Sequence, residues 1–220
     1  MRRIDLLLQS REGDLSPISF EFGKLLLGGW SGRSKEEVLA HVEELKKLGV
    51  PEPERVPSFF PVSCNLIDSS VRVQVIGDRT SGEVEYVLLV EGGEPKYVTV
   101  GSDHTDREVE RLSVHLSKQL YPKVIPPLVW RYEEVEDHWD ELVLRMSVDG
   151  VLSQESKLSS LLPPEDLLKL SGIAVENAVV FSGSISWIGG ALRFGRRYSF
   201  SLTDPILGRR VGYSYEVVRI

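Results

Sequence analysis

Hydrophobic positions along this chain fall mostly into short runs of strand period. The segments "VRVQVIG" (71–77), "GEVEYVLLVEG" (82–92) and "KYVTVGS" (96–102) alternate apolar with polar residues, or run apolar, between glycines, and each is expected to form a strand. The same reading applies to the opening "MRRIDLLLQSRE" and to "ELVLRMSVDG" (141–150), "NAVVFSG" (177–183), "RRYSFSLTD" (196–204) and "VGYSYEVV" (211–218), with "EGGEP" and "DPILG" as turns. Helical period appears in three places. Ser34 to Gly49 carries a capping box at Ser34 and Glu37, lysines in its last turn and a Gly49/Pro51 stop. A second helix is expected from about Thr105 to Leu120, with a capping box at Thr105 and Glu108 and an apolar stripe of Val109, Leu112, Leu116 and Leu120. "PPEDLLKLSG" gives a short third. The expected class is α+β, strand-dominated, with a few helices covering a curled or layered sheet.

Composition narrows the function without naming it. The 220 residues suffice for a real core, and no break in composition demands two domains, although residues 1–56 offer a small N-terminal lobe. A net charge of −7 with no long basic run argues against nucleic acid as the main partner. No run is long and apolar enough for a membrane span, and the opening segment is too short for a signal peptide, so a cytoplasmic protein is expected. The single Cys64 excludes an internal disulfide, and nothing resembles a zinc cluster.

Candidate chemistry concentrates around "VGSDHTDRE" (100–108), where five ionisable groups stand within six residues. Glu83 and Glu85, two apart in a strand, leave on the same face. A hairpin turn centred near Gly93 is expected to set Glu85 and Glu83 opposite positions within a residue or two of Gly101 and Asp103, so that three carboxylates meet at one strand end. There they repel and raise one another's pKa, a penalty that a divalent cation removes. Oxygen-only ligands select magnesium, manganese or calcium rather than zinc. By pattern alone, a strand with one solvated face and one core face is the simpler explanation of Glu83 and Glu85, but the strand continues apolar on both faces. His41 and Glu44, three apart on the first helix, read either as an incidental surface pair or as an imidazole general base oriented by a carboxylate. His104 and His115 take the bland reading of surface or supporting residues, and the acidic run Glu133–Asp140 that of a solvated turn.

Taken in order, "AHVEEL", "PSFFPVS", "EVEYVLLV", "VTVGSDHTDRE", "SKQLYPK" and "VVFSGSISWIGG" resemble the fumarylacetoacetate hydrolase superfamily, and within it a poorly characterised prokaryotic branch known as a domain of unknown function. The resemblance implies a mixed β-sandwich roll, usually a homodimer. It implies metal ligation by Glu83, Glu85 and Asp103, with magnesium first and manganese or calcium as alternatives. It implies His41 as catalytic base with Glu44 as its partner, Lys118 as a further catalytic residue, and Arg107, Lys118 and Ser184 as holders of substrate oxygens. The expected activity is metal-dependent cleavage of a carbon–carbon bond in a small oxo acid or 1,3-dicarbonyl, by hydrolysis or decarboxylation through an enolate. On this reading Arg107→Ala weakens substrate binding and leaves melting nearly unchanged. Two rivals stand beside it: a binding protein that keeps the metal site but lacks the base, and a structural β-protein whose carboxylates are scattered.

Overall fold

A computed structural model describes residues 1–47 and 52–220; inside the first helix the side chains of Glu37, Ala40, His41, Glu44, Leu45 and Lys47 lie outside the described residues. In chain order the elements are β1 (Arg2–Gln9), β2 (Leu15–Phe22), β3 (Lys24–Gly29), α1 (Lys35–Lys47), β4 (Ser58–Val62), β5 (Ile67–Asp68), β6 (Arg72–Val75), β7 (Thr80–Ser81), β8 (Val84–Glu91), β9 (Glu94–Asp103), β10 (Thr105–Asp106), α2 (Arg107–Glu110) and α3 (Val114–Leu120). There follow β11 (Lys123–Val124), β12 (Leu128–Arg131), β13 (Val143–Val148), β14 (Val151–Lys157), α4 (Pro164–Ser171), β15 (Asn177–Phe181), β16 (Arg197–Asp204) and β17 (Arg209–Arg219).

The large sheet runs β2-β1-β12-β9-β8-β15-β3-β4, with β11 and β5 appended beside β9. It is mixed: β1/β12 and β15/β3 are parallel, whereas β8/β9 and β15/β8 are antiparallel. A second sheet runs β14-β13-β16-β17-β6, and β10 pairs β7 apart from both. One core fills the space between the sheets, with Tyr86, Leu88 and Val100 of the large sheet against Met146, Phe200 and Tyr215 of the second. The large sheet curls around another core built of Val87, Leu89, Val179, Phe181, Leu25 and Phe22. Strand β8 thus buries both faces over Val84–Val90, as its unbroken apolar run requires. The expectation of a strand-dominated α+β sandwich roll holds.

Three local expectations are corrected. The helix from Thr105 to Leu120 is two helices: Asp106 caps α2 by accepting from the Glu108 and Val109 N–H groups, and Ser113 caps α3 by accepting from the Leu116 N–H. Its apolar stripe does not face the core, since Leu112, Leu116 and Leu120 are 81%, 62% and 50% exposed. The inward face of α3 is Val114, Ser117 and Lys118. His104 is fully enclosed, its Nδ1 2.9 Å from the Tyr215 hydroxyl and its Nε2 3.0 Å from Thr80 Oγ1, whereas His115 is exposed. The acidic run is partly structural, with Glu134 2.6 Å from Arg209 and His138 3.1 Å from Asp204. The Gly49/Pro51 stop of α1 falls outside the described residues. Among the described residues no helix is long and apolar enough to cross a membrane.

Candidate metal and substrate site

The β8–β9 hairpin turns on Gly92 and Gly93, both at positive φ, and pairs Glu85 with Gly101. One step further out, Glu83 and Asp103 exchange both backbone hydrogen bonds, at 3.1 and 3.0 Å. Register and pleat therefore put the three carboxylates on one face of one strand end. One oxygen from each lies within 4.8 Å of the others. Gly101 is required between them: a Cβ there would come within 2.4 Å of the Phe181 ring.

Each carboxylate has its own surroundings. Glu85 is fully buried; its Oε2 accepts from the Gly183 N–H at 2.6 Å, and its Oε1 has no hydrogen-bond partner among the described residues. Gly183 can present that N–H because its φ is +91°, and a Cβ there would lie 2.4 Å from Ser31 Oγ. Burial, and after it the charge of Asp103, pushes the Glu85 carboxyl well above the usual carboxylate range. Asp103 is equally buried but paired on both oxygens. Lys118 Nζ bonds Oδ2, Lys123 Nζ lies 2.6 Å from Oδ1, and Thr105 Oγ1 donates to Oδ1 at 3.2 Å. Burial opposes the ionised form of Asp103, but the two ammonium groups outweigh it and hold the carboxyl well below its ordinary range. Glu83 keeps some exposure and faces Arg107, whose NH2 lies 3.2 Å from Glu83 Oε1.

Arg107 is itself clamped. Its Nε donates to Ser81 Oγ at 2.7 Å, and its NH1 donates to both oxygens of Glu110, at 3.0 and 2.9 Å. These carboxylates compensate for its burial and for a place in the first turn of α2, where the helix dipole disfavours a cation. Burial lowers the Lys123 ammonium's affinity for its proton, whereas Asp103, Glu83 and Glu85 more than offset the burial of Lys118 and raise it.

Beside the carboxylates opens a cavity of about 380 Å³, lined by Glu83, Glu85, Lys118, Trp30, Phe60 and Ile185, with Asp103 behind that lining. Ser184 also lines it, accepting from the Gln154 side-chain amide at 2.8 Å. Arg107 is not among the lining residues, whereas its partner Glu110 is. Helix α1 borders the cavity through Val38, and Val42 is buried beside it. His41 and Glu44 belong to this helix, but their side chains lie outside the described residues.

The residues named from sequence are thus sorted by the structure. Glu83, Glu85 and Asp103 converge; Lys118 and Ser184 reach the cavity; Arg107 joins the carboxylate network from outside the lining. Sequence reasoning missed Lys123, Ser81 and Glu110 as members of the network. Lys123 stands in the quoted "SKQLYPK" segment and reaches Asp103 because β11 pairs antiparallel with β9, placing Lys123 opposite Asp103. A lysine between Tyr121-Pro122 and the apolar Val124-Ile125 was the available signal.

The donor set fits a hard divalent cation: three carboxylates within mutual reach, all-oxygen, one with an orphaned buried oxygen. The chain belongs to the family described as a protein of unknown function (DUF2848), whose model matches residues 28–215. No curated protein matches it. Among solved structures it is similar to a protein from Oleispira antarctica provisionally described as a fumarylacetoacetate isomerase/hydrolase, at 18% identity and a TM-score of 0.69, covering 98% of this chain and 100% of that one. It is similar to yeast ynq8, a fumarylacetoacetate hydrolase family protein, at 17% identity and a TM-score of 0.62, covering 89% and 93%. It is also similar to 2-keto-3-deoxy-D-arabinonate dehydratase complexed with magnesium and 2,5-dioxopentanoate, at 14% identity and a TM-score of 0.62, covering 90% and 74%. The fold is therefore that of the fumarylacetoacetate hydrolase proteins, as the resemblance in sequence implied.

Proposed function

We propose that this protein is a divalent-metal-dependent enzyme acting on a small oxo acid or 1,3-dicarbonyl. The observation that carries the reading is the convergence of Glu83, Glu85 and Asp103, two of which, Glu83 and Glu85, line a cavity of about 380 Å³. A cation held there, with magnesium the first candidate, supplies Lewis acidity that polarises the substrate's carbonyl oxygens and stabilises the negative charge left when a neighbouring bond breaks. The dehydratase that shares the fold holds magnesium and 2,5-dioxopentanoate, which is consistent with such a ligand pair here.

The chain's own residues divide the remaining work. Arg107, fixed by Ser81 and Glu110, holds Glu83 at its place in the cluster. Lys118, which lines the cavity, would hold the anionic end of a substrate, and Ser184, also in the lining, one of its oxygens. His41, oriented by Glu44 on the helix that borders the cavity, would take a proton from water in a hydrolysis; a decarboxylation would not need it. Trp30, Phe60 and Ile185 offer an apolar wall to the remainder of the substrate and exclude water from it. A cytoplasmic homodimer belongs to the same reading, and the exposed leucines 112, 116 and 120 offer apolar area for a second copy.

The test is turnover. Incubated with magnesium and a panel of 2-oxo acids and acylpyruvates, the protein should convert at least one, as detected by mass spectrometry, with Glu85→Gln abolishing the conversion. Metal binding without turnover across the panel would favour the binding-protein alternative.

A further inference from the structure

The most unusual group in the site is an ammonium already seated among the carboxylates. Lys118 Nζ bonds Asp103 Oδ2, and the residue is 5% exposed at the end of α3. Its charge is held by Asp103, Glu83 and Glu85, the same three groups that form the candidate metal cluster. A divalent ion bound by these oxygens and an ammonium bonded to one of them repel each other at close range.

Two lysines flank Asp103, and they are not equivalent. Lys123 is fully enclosed, is anchored a second time to the His104 carbonyl at 2.8 Å, and is not among the residues lining the cavity. Lys118 lines the cavity, with Val114 one helical turn before it on the same face. Among the described residues its ammonium hydrogen-bonds Asp103 alone. A long, flexible stem therefore leads from α3 to the boundary between cluster and cavity, and the ammonium can leave Asp103 without leaving the site. Glu85 Oε1, buried and without a hydrogen-bond partner among the described residues, remains available to a ligand that the ammonium does not satisfy.

We propose that Lys118 is a tethered cation that yields Asp103 to the divalent ion, and that its displaced ammonium turns into the cavity, where it holds the carboxylate of an anionic substrate. This inference rests on the metal-site reading above. It adds an order of events: the metal binds first, and its binding frees the group that recognises the substrate's acid.

Manganese alone is the probe. The full chain, stripped with a chelator and dialysed, is titrated with Mn²⁺ while free ion is followed by electron paramagnetic resonance. Lys118→Met should bind Mn²⁺ about tenfold or more tightly than the wild type, because a competing like charge is gone. Equal or weaker binding by the variant overturns the proposal. The wild-type protein gives a second readout that needs no variant. Acylation of Lys118 by an amine-reactive ester, quantified by mass spectrometry of the digest, should rise several-fold on adding Mn²⁺, and unchanged or reduced labelling overturns the exchange. If wild type and variant bind Mn²⁺ alike, the metal site stands and the exchange alone falls. If neither binds it, the metal site falls and the exchange with it.

Discussion

Glu83 and Asp103 face each other across the open end of the β8–β9 hairpin, each donating its backbone N–H to the other's carbonyl, at 3.1 and 3.0 Å. That reciprocal pair locks the register, and the register brings Glu85, two residues on, to the same face. The cluster is consequently a property of the sheet rather than of a loop, and its response to substitution follows from what each carboxylate balances.

Asp103 balances two buried lysines, so its loss should be felt before any metal is added. Asp103→Asn leaves Lys118 and Lys123 without their shared carboxylate and should lower the stability of metal-free protein by about 3–5 kcal/mol. Glu83→Gln, at a site that keeps some exposure, should cost less. Urea unfolding of the two variants in the presence of a chelator gives the comparison; equal losses would mean that the lysines are satisfied elsewhere.

Arg107 yields a prediction opposite to the one suggested by sequence. An arginine expected to touch substrate, with little bearing on melting, is instead 7% exposed and committed to Glu83, Glu110 and Ser81. Arg107→Ala should destabilise the protein by about 3–5 kcal/mol, because two partly buried carboxylates lose their partner. Unfolding at unchanged midpoint would return Arg107 to the role of a substrate contact.

His104 should add an acid limit. Burial, then the charges of Lys123 and Arg107, lowers its pKa to about 3 from 6.5. The unfolded chain therefore binds a proton that the folded protein refuses. The neutral histidine's contribution is complete above pH 6.5 and is lost as the pH falls toward 3, at up to about 1.4 kcal/mol per unit. His104→Asn removes that dependence, so its destabilisation should be largest at pH 7 and shrink by pH 4. A destabilisation independent of pH would contradict the assignment.

For catalysis, His41→Ala should cut turnover of an identified substrate by roughly 10²–10⁴-fold while leaving metal affinity unchanged, if that imidazole is the general base. Full turnover in the variant would place the base elsewhere or make the reaction one that needs no activated water.

How much of this could be read from the chain follows from the range of the interactions. That Glu85 and Asp103 fall at one strand end was legible because a two-glycine turn between two apolar runs reads as a hairpin, but the exact pairing of Glu85 with Gly101 also depends on an irregularity between Leu89 and Val90 that no local pattern announces. The α2–α3 break was not, because the stripe of leucines outscored the local capping by Asp106 and Ser113, and tertiary contacts of Val114 and Lys118 rotated the helix away from that stripe. Lys123 was hidden because a two-residue strand has no period, and only its pairing with β9 reveals its target. The role of Gly183 depends on a contact with Glu85 across 98 residues, beyond any local pattern.

The central claim is that Glu83, Glu85 and Asp103 hold one divalent cation. Anomalous diffraction from crystals grown with Mn²⁺ tests it directly. The account predicts a single strong peak at about 2.0–2.6 Å from one oxygen of each carboxylate. No peak among them at millimolar Mn²⁺, or a peak held by other residues, would contradict it.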